Sequence, residues 1–71
     1  MKLTNIIKLL RVECGLTQRN IAKSIGISLM GFQNIENYKA DPSTLTALKI
    51  LYFFKEYYTD LSFESIFKIE E

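Results

Sequence analysis

Apolar residues recur at three- and four-residue intervals along most of the chain, the period of helices with one buried face. Ile7, Leu10 and Cys14 form the first stripe and predict a helix over about residues 5–14, with Thr4 as its cap and Gly15 as its stop. Leu16 follows the glycine and is placed to pack back on the core. Ile21 and Ile25 predict a second helix over 18–25, opened by Thr17 and closed by Gly26, where a sharp turn needs φ > 0. Phe32 and Ile35 predict a third over 29–37, capped by Ser28, with Ile27 plugging the turn and Ala22 permitting close approach. Pro42 disfavours helix at Asp41, and Ser43 or Thr44 then opens a fourth helix over 43–56. Leu45, Leu48, Leu51 and Tyr52 follow helical spacing there, while Ile50, Phe53 and Phe54 add apolar surface on other sides. A helix apolar over more than one stripe should be covered on two sides. After a connection over 57–61, Asp60 or Ser62 begins a last short helix over 62–68, with Phe63, Ile66 and Phe67 apolar. Strand signals are weak, since the aromatic runs interrupt or follow a helical pattern and no glycine-containing hairpin turn joins a pair of strands. The expected fold is all-α, a five-helix bundle in one domain over residues 1–71.

The stretch 17–37 organises this bundle. Two short helices joined by a tight turn, each with its apolar pair turned toward the other, make a helix-turn-helix motif. The second helix then leaves Ser28, Leu29, Met30, Gln33 and Asn34 outside the internal contact, where a major groove would meet them. Asn and Gln bind adenine bidentately, so Asn34 and Gln33 are candidate base readers. Leu29 and Met30 either pack on thymine methyl groups, or fold onto the protein itself or form an apolar surface for a protein partner. Gln18, at the N-terminus of the first motif helix, is placed to meet a phosphate together with the backbone N–H groups there. Arg19 and Lys23, four apart, are phosphate contacts or solvated charges.

Residues 7–54, about two thirds of the chain, resemble the lambda-repressor-like, XRE/Cro-type helix-turn-helix family. The matching pieces are Arg11, LTQ at 16–18, IA at 21–22, IGIS at 25–28, F-x-x-IEN at 32–37, Lys39 and PS at 42–43, with unbroken spacing. The resemblance implies an ion pair between Arg11 and Glu36 that ties helix to helix, and phosphate contacts by Gln18 and by the Asn37/Lys39 region. It also implies base reading by the outward residues at the start of the recognition helix. Tyr38 stands where this family usually has glycine, so the chain leaves the helix by another route or Tyr38 takes a strained backbone.

Charge and composition sharpen this picture. The net charge is only +1, but residues 1–50 carry seven basic side chains against three acidic ones, and residues 51–71 carry two against five. The motif half therefore attracts phosphate and the tail turns away from it. Cys14 is the only cysteine and histidine is absent, which excludes an internal disulfide and Cys/His zinc sites. Cys14 reads as a small buried apolar group, with a reactive thiol as the sharper alternative. No apolar run is long enough to span a membrane, and the N-terminus lacks the apolar region of a signal peptide. These features fit a reducing, cytoplasmic setting.

A chain of 71 residues buries a limited core, yet its aromatic content is 13%. Tyr52, Phe53, Phe54, Tyr57, Tyr58, Phe63 and Phe67 cluster toward the C-terminus. Part of this cluster is core. The surplus, with Phe54, Tyr57, Tyr58, Phe63 and Phe67 as its expected members, points to a twofold homodimer interface; the alternative is a monomer with exposed tyrosines. The leading functional reading is a sequence-specific regulator that occupies double-stranded DNA as a small dimeric repressor or controller. The alternative is a protein-interaction module, an antitoxin or anti-repressor component, that keeps the fold. An enzyme is disfavoured, because there is no histidine, no phosphate-binding glycine loop and no nucleophile–base pair. Neither a cofactor nor a small-molecule ligand is indicated.

Overall fold

The computed structural model describes residues 1–71. Five helices run in order: α1 (Ile7–Glu13), α2 (Gln18–Ile25), α3 (Leu29–Glu36), α4 (Thr44–Lys55) and α5 (Phe63–Ile66). Two short strands, β1 (Lys2–Asn5) and β2 (Phe67–Glu70), flank them and pair antiparallel, with Lys2 opposite Glu70 and Asn5 opposite Phe67. The fold is helical, as expected, with five helices; all-α is approximate, because a small two-stranded sheet also joins the chain ends.

The helix boundaries follow from local chemistry. Thr17 Oγ1 accepts from the Asn20 N–H at 3.0 Å while Asn20 Oδ1 accepts from the Thr17 N–H at 3.2 Å, a reciprocal cap on α2. Ser28 Oγ accepts from the Gly31 N–H on α3, and Ser43 Oγ from the Thr46 N–H on α4. Gly26, at φ 75°, closes α2 in the left-handed region and lets the Ile27 N–H reach the Ala22 carbonyl at 3.0 Å.

Both ends of the chain depart from the periodic reading. Thr4 does not cap the first helix. It lies in β1, and the helix starts at Ile7. The cap position is Ile6, which has no side-chain acceptor to offer, and Asn5 just before it covers the first helical donor: its Oδ1 accepts from the Ile7 N–H at 3.0 Å. Its Nδ2 donates to the Ile35 carbonyl at 2.9 Å, so a buried amide joins the start of α1 to the last turn of α3. The expected helix over 62–68 stops at Ile66, where the chain turns extended and becomes β2. The Ile6 N–H then donates to the Ile66 carbonyl at 3.0 Å.

The core contains Ile7, Leu10, Ile21, Ala22, Ile25, Phe32, Ile35, Ile50, Leu51, Phe54 and Ile66. Cys14, half-buried, packs on its edge, as do Leu16, Ile27 and Phe53. On α4 the buried side runs through Ile50, Leu51 and Phe54, whereas Leu45 and Tyr52 are more than half exposed. The expected cover on two sides is therefore present on one side only.

Candidate nucleic-acid interface

The first two turns of α3 form an open edge. Phe32, Ile35 and Glu36 are buried against the rest of the protein, while Ser28 and Met30 are exposed and Leu29, Gln33 and Asn34 are half-buried. Met30 is 70% exposed. Beside this edge, Arg19, Ala22, Lys23, Ile27 and Leu29 line a shallow depression of about 370 Å³. The two α2 cations thus share a surface with the start of α3, the arrangement a groove-inserted helix with flanking phosphate contacts requires.

Behind the edge lies a polar chain. Arg11 Nε donates to Glu36 Oε2 at 2.8 Å and its Nη2 to Glu36 Oε1 at 3.1 Å, a two-pronged ion pair with the Glu36 side chain 1% exposed. The remaining prong, Nη1, donates to the Leu16 carbonyl at 3.1 Å. Gln18 Nε2 donates to Glu36 Oε1 at 2.9 Å, and Gln18 Oε1 accepts from Gln33 Nε2 at 3.0 Å. One buried carboxylate therefore gathers α1, α2 and α3, with every buried polar side-chain atom satisfied. Gln18, expected at a phosphate, spends one N–H and its carbonyl inside this chain.

The exit from α3 is unusual. Tyr38 has φ 65°, in the left-handed region where glycine is at ease. Its hydroxyl donates to the Asn5 carbonyl at 2.9 Å, and Lys2 Nζ sits 5.7 Å from its ring centre. The side chain thus holds the backbone in the turn. Asn37 and Lys39 are exposed in this loop, and the Lys39 N–H donates to the Asn34 carbonyl at 2.8 Å. The loop that carries both phosphate candidates is tied directly to the recognition helix.

A helix-turn-helix family model matches residues 7–61 of the chain. The chain belongs to the lambda-repressor-like, XRE-type helix-turn-helix family. Its members are DNA-binding regulators. A search of curated proteins returns no match. Within this family reading, Ser28, Leu29, Met30, Gln33 and Asn34 lie together on one edge, and Arg19 and Lys23 adjoin it.

The aromatic set does not stay together. Phe54 is fully buried in the protomer's own core, which withdraws it from any surface between copies. Phe67 is half-buried and packs on the same core. Tyr58 is half-buried too, with its hydroxyl donating to Glu13 Oε1 at 2.9 Å and the Cys14 thiol 3.8 Å away. Hydrogen bonding to Glu13, then partial burial, then the Cys14 contact push the Tyr58 hydroxyl well above the usual tyrosine range. Tyr57 and Phe63 remain exposed, as do Leu45 and Tyr52.

Asn5 and Gly31 are the positions whose roles the pattern of apolar residues missed. Asn5 carried a usable signal: it is a strong capping residue two positions before an apolar stripe. For Gly31 the reason lies in the cap of its own helix. A Cβ there would lie 2.9 Å from Ser28 Oγ, the atom that caps α3.

Proposed function

We propose that this protein is a sequence-specific DNA-binding transcriptional regulator that occupies its operator as a homodimer. The observation that carries the reading is the open edge of α3 in a family of DNA-binding regulators, flanked by Arg19 and Lys23 and backed by a buried ion pair. Ser28, Leu29, Met30, Gln33 and Asn34 face the bases. Arg19, Lys23, Asn37 and Lys39 contact phosphate, and Gln18 keeps one amide N–H for the same purpose. The apolar side chains left open, Tyr52, Tyr57 and Phe63 among them, support association of two copies. Two recognition helices would then sit about 34 Å apart, one turn of DNA.

Binding-site selection from random duplexes tests this, with a twofold symmetric site as the expected result. A salt series tests the phosphate contacts. If Arg19, Lys23 and Lys39 of both protomers each neutralise one phosphate, log K should fall against log salt with a slope of about −5. Uniform, unselective binding with a slope near zero would reject the regulator reading. The exposure of Met30 favours a second reading, a helix-turn-helix module whose recognition helix docks on a protein. That reading predicts partner binding nearly insensitive to salt and lost in Met30→Asp.

A further inference from the structure

We propose that the outer edge of β2 pairs with the same edge of a second copy, antiparallel and centred on Ile69, so that two small sheets join into one of four strands. This rests on the homodimer of the reading above and names a contact that holds its copies together. The sheet has two strands, so each strand has one side free of a strand partner. The two free sides are unequal. The Ile6 N–H donates to the Ile66 carbonyl, in the same register that sets Thr4 opposite Lys68 and Lys2 opposite Glu70. Directly opposed residues of an antiparallel pair alternate between bonded and unbonded. Thr4 and Lys68 therefore bond to each other, as do Lys2 and Glu70, while Leu3, Asn5, Phe67 and Ile69 turn their backbone groups to the free sides. On β1 that side is occupied, because the Tyr38 hydroxyl donates to the Asn5 carbonyl at 2.9 Å. On β2 it is open. Lys68, Ile69 and Glu70 are all exposed, Ile69 by 57%. The outward N–H and C=O of Ile69 are a template for another strand.

Charge selects the strand and its register. The outward groups of β2 belong to odd-numbered residues, so bonding requires odd opposite odd. Phe67 opposite the partner's Ile69 would bring Lys68 against the partner's Lys68. Ile69 opposite the partner's Glu71 would bring Glu70 against the partner's Glu70. Ile69 opposite the partner's Ile69 instead sets Lys68 against the partner's Glu70, and symmetry repeats the pair. One row across the joined sheet then reads Lys2, Glu70, the partner's Lys68, with the sign changing at each step. On the opposite face Leu3 and Ile69 line up with their counterparts in an apolar row. Phe67 shares that face by alternation, and Phe63 packs on it with ring centres 6.3 Å apart. The strand edge is thus continuous with the open apolar surface already assigned to association.

Sedimentation equilibrium of three variants and one mixture tests the pairing. Ile69→Pro removes an outward N–H and none that bonds β1, so thermal unfolding of the monomer should be nearly unchanged while the dissociation constant of self-association rises about tenfold or more. Lys68→Glu opposes two acidic groups across the new junction, and Glu70→Lys opposes two basic ones. Each alone should weaken association about tenfold or more. Lys68 faces the neutral Thr4 in its own sheet, so Lys68→Glu leaves the intramolecular charge pair in place. An equimolar mixture of Lys68→Glu and Glu70→Lys chains should associate within about threefold of the wild type, because every opposed pair is again of opposite sign. If the wild type self-associates but Ile69→Pro or the charge variants match it, or the mixture is no tighter than its parts, the strand pairing is overturned and the homodimer reading stands. A wild type that stays monomeric at millimolar concentration overturns both.

Discussion

Arg11 and Glu36 set the stability of the motif at the level of single side chains. The Glu36 side chain is almost wholly sealed from water, so removing its cation leaves a buried charge without compensation. Arg11→Ala should cost about 3–5 kcal/mol, read as a large fall in the thermal midpoint. A midpoint within 2–3 °C of the wild type, a few tenths of a kcal/mol, would show that the pair is solvated. Tyr58 makes a prediction in pH. Its folded-state value is raised, chiefly because its hydroxyl donates to Glu13. The unfolded chain ionises near the ordinary tyrosine value of about 10 while the folded chain keeps its proton. The native state then binds more protons than the unfolded one, and stability falls as pH rises above about 10. The contribution is fully present below that pH. Absorbance titration should show a late tyrosine ionisation, and Tyr58→Phe should remove that step.

At the level of the element, α3 is held by a compromise between its cap and its own propensity. Gly31 weakens the helix interior by about 1 kcal/mol relative to alanine. The Ser28 cap, on typical values, contributes about 1 kcal/mol, and a methyl at position 31 would collide with its oxygen. Gly31→Ala alone should therefore change stability little. Made in a Ser28→Ala background, the same substitution should stabilise by about 1 kcal/mol, and chemical denaturation of the four proteins in this cycle measures the coupling. Additive effects would mean that the hydroxyl moves aside without loss. The loop after α3 shows the same kind of balance. Tyr38 tolerates a glycine-like backbone because its hydroxyl is anchored on β1, so strand and recognition helix are fastened by one side chain.

For the whole molecule, the aromatic residues divide between core and surface. Phe54 lies in the centre of the core, so Phe54→Ala should cost about 3–5 kcal/mol and act on each protomer. Tyr57 is nearly half exposed, and Tyr57→Ser should leave the monomer's unfolding nearly unchanged while weakening self-association in sedimentation runs at micromolar concentration. The two variants separate folding from assembly. The charge division works at the same scale. The basic half contains the motif and the acidic remainder contains the end of α4, α5 and β2, so the field of the molecule favours approach to DNA with α2 and α3 leading.

The five helices, their caps at Thr17, Ser28 and Ser43, the stops at Gly15 and Gly26, and the motif within them are written in local pattern, because caps, turns and helical periodicity act over a few residues. The family and the open edge of α3 follow from the same short-range code. The sheet between residues 2–5 and 67–70 is not legible there, since each strand is only four residues long and its partner lies at the other end of the chain. Nor is the polar chain from Glu36 through Gln18 to Gln33, whose members are 18 and 15 residues apart. Packing alone brought those groups within hydrogen-bonding distance, and packing alone sent Phe54 inward while leaving Tyr57 at the surface. Which apolar side of a multiply apolar helix is covered depends on what the rest of the chain can reach, and no local spacing encodes that.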